Sequence, residues 1–178
     1  MKTTKQRATT LDVLGEVTNR YQADALLSGP GSAVIVRRGV LRSLVLPCPD
    51  ACQDILTVNL DTRAGPAWRL YLRRAQVSLF PSIWRETGCC SHFIVWRSRI
   101  FWCDKEGEEV SAIDEALEIK VAAALHTTEF RSYVEIADLL QEVPWAVLAA
   151  CERLVSIGQA DKGHGKGHGT YRRRRLLA

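Results

Sequence analysis

The chain has no run approaching the roughly 18 consecutive apolar residues of a membrane span, and no internal repeats. Nothing of signal-peptide type follows its polar start, Met1-Lys2-Thr3-Thr4-Lys5-Gln6, so the expected compartment is the cytoplasm and no membrane partner is expected. Nor does it have the composition of a disordered chain. Its hydrophobic fraction of 47% is that of folded protein, and 178 residues suffice for one ordinary domain or two small ones. In a reducing compartment its six cysteines point to metal ligation, catalysis or burial before disulfides.

Acidic residues are absent from the C-terminal stretch, and the two stretches before it are biased in opposite directions. Residues 1–103 carry 14 Lys and Arg against 7 acids, residues 104–161 carry 4 against 13, and residues 162–178 carry 6 against none. The acidic stretch reads as solvated helix faces. The basic end is either a solubilising tail or a contact for a phosphate backbone or an acidic protein.

The hydrophobic period changes along the chain. Leu11, Leu14, Val17, Tyr21 and Ala25 recur at helical steps, predicting an N-terminal helical segment over residues 1–29 that ends at Ser28-Gly29-Pro30-Gly31. Residues 30–104 then read as six or seven short strands, near 33–36, 41–46, 55–60, 68–72, 77–80, 92–96 and 99–102, with hairpin turns at Arg38-Gly39 and Arg97-Ser98. The polar, charged stretch 104–109 reads as a domain boundary.

Beyond that stretch the period is helical again. Ile113, Leu117, Val121 and Leu125 line one helix face. Ser132-Tyr133-Val134-Glu135 is a capping box opening a second helix, and Pro144 and Gly158 suit the first turn and the end of a third. The glycine-rich segment 162–169, between Gln159-Ala160-Asp161 and Thr170-Tyr171-Arg172, reads as a hairpin with a loose tip. The order over residues 112–175 resembles a winged helix, giving an α+β protein with a small, mainly antiparallel β domain followed by a winged-helix domain.

Chemistry concentrates in Cys48-Pro49-Asp50-Ala51-Cys52, Gly88-Cys89-Cys90-Ser91-His92-Phe93 and Trp102-Cys103. Two thiolates on one turn can grip a metal ion, and others delivered from a hairpin can complete a tetrahedral site. Cys48, Cys52, Cys89 and Cys103 are the predicted ligands of a structural zinc, with the alternative that they are small buried hydrophobes. Cys89 and Cys90 diverge in extended backbone, so one of them joins. Cys151 falls on the apolar face of the third helix.

Pro81-Ser82, Cys89-x-Ser91-His92-Phe93 and Trp102-Cys103, preceded by a cysteine knuckle, resemble a bacterial family encoded beside ubiquitin-like, activating-type and conjugating-type proteins in antiphage operons. That resemblance implies a peptidase that trims the ubiquitin-like precursor or removes it from targets, as a deubiquitinase does. Its implied partners are the ubiquitin-like protein and its activating and conjugating enzymes. The family knuckle reads Cys-Pro-Cys-Gly-Cys, whereas here Asp50 and Ala51 replace the central Cys and Gly, and Asp50 can face a cation.

The residues permit such chemistry. His92 is the single histidine of the β-rich region, so it is the predicted base. Adjacent residues of a strand point to opposite faces, which sets Ser91 badly for activation by His92 and favours Ser82 as nucleophile, with Ser91 as a hydrogen-bonding or oxyanion group. Asp104, Asp61 and Glu86 are candidates to orient the imidazole. With no His-Glu-x-x-His sequence, a zinc peptidase ranks below the serine type.

The rival reading is a non-catalytic, zinc-stabilised adaptor or a nucleic-acid-binding protein. Ala146, Ala149, Ala150, Glu152, Arg153 and Ser156, the positions expected to face outward on the third helix, offer only Arg153 for base readout. Lys162, Lys166 and Arg172-Arg173-Arg174-Arg175 can hold phosphates of any nucleic-acid sequence, and His164 and His168 belong to the hairpin tip.

Overall fold

A computed structural model describes residues 6–104 and 114–174. The chain forms two compact units, residues 1–108 and 109–178.

In the first unit, β1 (Asp12–Val17), α1 (Arg20–Ala23), β2 (Ser32–Arg38), β3 (Val40–Pro47) and β4 (Ile55–Asn59) precede β5 (Arg69–Arg73), β6 (Gln76–Trp84), β7 (His92–Trp96) and β8 (Arg99–Trp102). They build two four-stranded sheets, ordered β1-β2-β3-β4 and β5-β6-β7-β8. Every pairing is antiparallel except β1 with β2.

The N-terminal segment corrects the helical expectation. Leu11 is fully buried, but Leu14 and Tyr21 are exposed, so the three- and four-residue steps mark no common face. Val13, Gly15 and Val17 instead alternate on the inward side of a strand. β-Branched residues and a glycine favour that strand over a helix, and β2 supplies its backbone partners. Among the described residues of this segment only the four-residue α1 is helical.

Alternation along the strands makes one core between the sheets: Leu44, Leu46 and Val58 from one meet Val77, Leu79, Phe93, Val95, Ile100 and Trp102 from the other. Each such side chain contributes about 1.5–3 kcal/mol when fully buried. The β7–β8 turn has Arg97 and Ser98 at φ 49° and 60°, the left-handed pair that a two-residue hairpin of matching twist requires.

In the second unit, α2 (Glu115–Ala124) is followed by β9 (Arg131–Ser132), α3 (Tyr133–Leu140), α4 (Pro144–Ser156), β10 (Ala160–Lys162) and β11 (Thr170–Arg173). The strands form an antiparallel sheet ordered β10-β11-β9. Asp114 caps α2, and Ser132 with Glu135 forms the capping box of α3. Leu117, Val121 and Leu125 are buried with Ile136, Val147, Cys151, Leu154 and Tyr171. Ile113, read from sequence as part of the first helix, and Arg175 of the basic tail lie outside the described residues. No helix among the described residues is long and apolar enough to cross a membrane.

Candidate active site and cysteine group

β6 does not stop at Pro81, as its sequence suggests, but continues to Trp84. The ladder with β7 pairs Leu79 with Val95 and then Ile83 with Phe93, so β6 spends two more residues than β7 over that interval. The extra residues bulge, and Pro81, which has no N–H to donate, is tolerated there. Leu79, Ile83, Phe93 and Val95 point into the core. Alternation therefore turns Ser82, Trp84 and His92 to the opposite face.

On that face His92 Nε2 lies 3.0 Å from Ser82 Oγ, a hydrogen bond between half-buried side chains. Ser82 and His92 are diagonal neighbours on paired strands, since Trp84 is the residue directly opposite His92. The His92 carbonyl accepts from the Cys103 N–H on the β8 side. Trp84 and His92 thus form the non-hydrogen-bonded kind of pair, whose side chains approach most closely. Their rings are 5.9 Å apart at 32°. The Trp68 indole donates to the Ser82 carbonyl at 3.3 Å and fixes the backbone beneath the hydroxyl.

Among the described residues no carboxylate hydrogen-bonds His92. Asp61 is held by Arg63 and Arg42, and hydrogen bonds from Arg63 keep its carboxyl well below the usual range against the opposing effect of burial. Asp104 pairs with Arg7 at 2.8 Å, and Glu86 is exposed. The unit at the hydroxyl is a Ser–His pair.

Ser91 lies elsewhere. It is buried, accepting from Cys89 Sγ at 3.3 Å, with Cys48 Sγ 3.7 Å away. The sulfurs of Cys48, Cys52 and Cys89 all lie within 4.8 Å of one another. Cys48 directly follows β3 and is buried, and a tight knuckle with Ala51 at φ 57° and Gln53 at φ 72° returns Cys52 to it. Cys89 arrives from the β6–β7 loop, while Cys90, at φ 51°, turns outward.

Cys103, the fourth predicted ligand, is exposed and stands outside this group. It follows β8 directly, and its backbone N–H is tied to His92. Cys151 is buried in α4. Asp50 meets a cation, but that cation is Arg7, whose Nε is 2.7 Å away.

The residue that sequence did not announce is Arg85. Its Nη1 is 3.0 Å from both Cys52 and Cys89 Sγ and 3.6 Å from Cys48 Sγ, and its Nη2 pairs with Asp54 at 2.7 Å. A Cβ on Gly88 would meet Arg85 Nη2 at 2.9 Å, so the glycine makes room for the guanidinium. Burial disfavours ionisation of Cys89, but hydrogen bonds to its thiolate from Ser91, Cys52 and Cys48 together outweigh it and hold the thiol down to about 7. Burial pushes Cys52 up to about 11. Three convergent sulfurs, one ionising near neutrality, suit a thiophilic metal ion.

In the second unit Ala146 and Ala150 are buried, contrary to their expected outward placement: Ala146 lies in the first turn of α4, all of which is buried, and Ala150 shares the buried face of Val147, Cys151 and Leu154. Lys162 pairs with Glu152, and Arg172 and Arg174 both pair with Asp161. Much of the basic end is thus engaged within the chain, while His164, Lys166 and His168 are exposed at the hairpin tip.

Residues 19–103 match the protein family described as "Bacterial ubiquitination-like system serine protease (BubE)". The matched region contains Ser82, His92, Arg85 and the three clustered cysteines. No curated protein and no solved structure matches the chain.

Proposed function

We propose that the first unit is a serine peptidase of a bacterial ubiquitin-like conjugation pathway, with Ser82 as nucleophile and His92 as general base. The observation that carries this reading is the 3.0 Å contact between Ser82 Oγ and His92 Nε2 inside a region matching a serine protease family. His92 Nε2 takes the hydroxyl proton as Ser82 Oγ bonds to the scissile carbonyl carbon. The imidazolium then gives that proton to the departing amine as the C–N bond breaks, leaving an acyl-serine. Water repeats the sequence: His92 accepts its proton, the acyl bond to Ser82 breaks, and the proton returns to Oγ. The substrate is the pathway's ubiquitin-like protein, as precursor or conjugate, so the activity is deubiquitinase-like, and the activating and conjugating enzymes are partners.

Cys48, Cys52 and Cys89 would hold a zinc ion, which would supply folding free energy by cross-linking the knuckle to the loop before His92. The histidine engages Ser82 and not this sulfur group, which favours the serine type over a zinc peptidase. The α-β-α-α-β-β order of the second unit supports a winged helix that docks the enzyme on protein partners, and the enclosed first turn of α4 argues against insertion into a DNA groove. The site of action is cytoplasmic.

The test is cleavage of a ubiquitin-like fusion after its C-terminal residue, with covalent labelling by a fluorophosphonate. Wild type should cleave and be labelled, whereas Ser82→Ala should do neither. Full activity in Ser82→Ala overturns the assignment.

A further inference from the structure

The backbone around Ser82 is open on one side. β5 pairs with β6 from Arg69 opposite Phe80 to Arg73 opposite Gln76. Before Arg69 the chain leaves that edge, because the Trp68 N–H donates to Asn59 of the other sheet. From Pro81 to Trp84, therefore, no strand among the described residues lies on the β5 side of β6. Only the Trp68 indole reaches back, and it occupies the Ser82 carbonyl.

The ladder fixes which backbone groups face the opening. The Arg85 N–H donates to the Ser91 carbonyl, and the His92 carbonyl turns to Cys103 on β8. Arg85 and Ile83 therefore spend their peptide groups on β7, and in an antiparallel ladder the intervening Trp84 directs its N–H and C=O the other way. Trp84 is 66% exposed and flanks His92, so the same residue offers a peptide unit with no backbone partner among the described residues and a bare aromatic surface beside the nucleophile.

We infer that the open edge of β6 at Trp84 receives an extended segment of the substrate polypeptide as an added antiparallel strand, one substrate residue exchanging both hydrogen bonds with the Trp84 N–H and C=O. This inference rests on the peptidase reading for its occupant. Antiparallel addition sends the substrate toward Ser82 in its N-to-C direction, since the residue two positions after the one facing Trp84 lies opposite Ser82. The acyl half of the substrate is then gripped by backbone, which accepts many sequences, and the scissile carbonyl arrives at Oγ. Continuity of this edge with the Ser–His pair selects a cleavable polypeptide over any other occupant.

The experiment uses the full chain and a fluorescent peptide spanning the C-terminal processing junction of the pathway's ubiquitin-like protein, N-methylated at one acyl-side residue at a time. Binding is read by anisotropy with Ser82→Ala, and cleavage of the unmodified peptide with wild type. The residue facing Trp84 should lose about tenfold in affinity when its N–H is blocked. The residues on either side, whose N–H groups point away, should lose less than about twofold. Hydrogen exchange at the Trp84 amide should slow when peptide binds, with the Ile83 amide unchanged. Cleavage without alternating sensitivity overturns the added strand and leaves the peptidase reading standing. Alternating sensitivity without cleavage does the reverse, and a peptide neither bound nor cleaved overturns both.

Discussion

Ser82 and His92 meet diagonally across β6 and β7, with 3.0 Å between Oγ and Nε2, because the bulge after Leu79 leaves Trp84 directly opposite His92. The contact depends on local register and leaves the core face of both strands intact. Replacing either residue by Ala should therefore lower kcat/KM by at least about a thousandfold, with a shift in stability of less than about 1 kcal/mol, as for substitutions outside a core. Ser91→Ala should show the opposite profile, keeping most activity but losing about 1 kcal/mol as its buried hydrogen bond goes. Steady-state kinetics and thermal melts on the three variants check this. A Ser91 variant as inactive as Ser82→Ala would overturn the assignment of the two serines.

The cysteine group predicts metal content. Elemental analysis should give about one zinc per chain, and Cys48→Ser, Cys52→Ser and Cys89→Ser should each lose it and melt well below wild type, since structural zinc binding is coupled to folding. Cys103→Ser should retain the metal, because Cys103 is outside the sulfur group. Zinc lost from Cys103→Ser alone would restore the four-sulfur site read from sequence.

Chelated protein should reveal the Cys89 thiolate. Its pKa is held down to about 7 from an ordinary value of 9.0, so alkylation of Cys89 by iodoacetamide should rise with a midpoint near neutrality, and Ser91→Ala should move that midpoint upward. The lowered pKa belongs to the folded state, so the stabilisation is fully present above 9.0 and is lost as pH falls through about 7. Stability of the chelated protein should accordingly climb from pH 7 to pH 9. A flat profile, with a Cys89 midpoint near 9, contradicts the hydrogen-bonded thiolate.

Much of this was written in the sequence at the level of period and punctuation. Alternating apolar residues, Arg97-Ser98 and the Ser132/Glu135 capping box are local signals, and local chemistry decides them. The contact of His92 with Ser82 was legible in the same way, because neighbours on a strand face opposite ways. What escaped was long-range: the strand β1 depends on β2 for its hydrogen bonds, so Leu11, Leu14 and Val17 alone read as helix. Arg85 among the sulfurs depends on a knuckle more than thirty residues earlier, as the separation of 33 from Cys52 records. A hairpin can deliver Cys103 together with Cys89, but Cys103 lies outside the sulfur group, and an alternation rule does not say how far a side chain is from a turn on another sheet.

The second unit offers the last prediction. Glu152 on α4 accepts from Lys162 Nζ at 2.6 Å and from Tyr171 Oη at 2.5 Å, joining the helix to both strands of the following hairpin. Tyr171 is fully buried, and Gly163 packs against Thr170 Oγ1 and the Gly167 carbonyl with no room for a Cβ. Burial raises the Glu152 carboxyl, but the hydrogen bonds from Lys162 and Tyr171 outweigh it and hold it below its ordinary value. A depressed folded pKa means that its contribution is present above the ordinary glutamate pKa and disappears as pH falls through the folded one. Glu152→Gln keeps an acceptor for Tyr171 but loses the charge facing Lys162, so it should cost about 1 kcal/mol at pH 7, discounted because the side chain is partly exposed. Tyr171→Phe should cost a similar amount, and the double variant less than the two together, since both act on one carboxylate. Thermal melts of the full chain from pH 7 down to pH 3 should show wild type and Glu152→Gln converging at the acid end. A constant gap between them across that range would mean that the carboxylate does not carry the coupling between α4 and the hairpin.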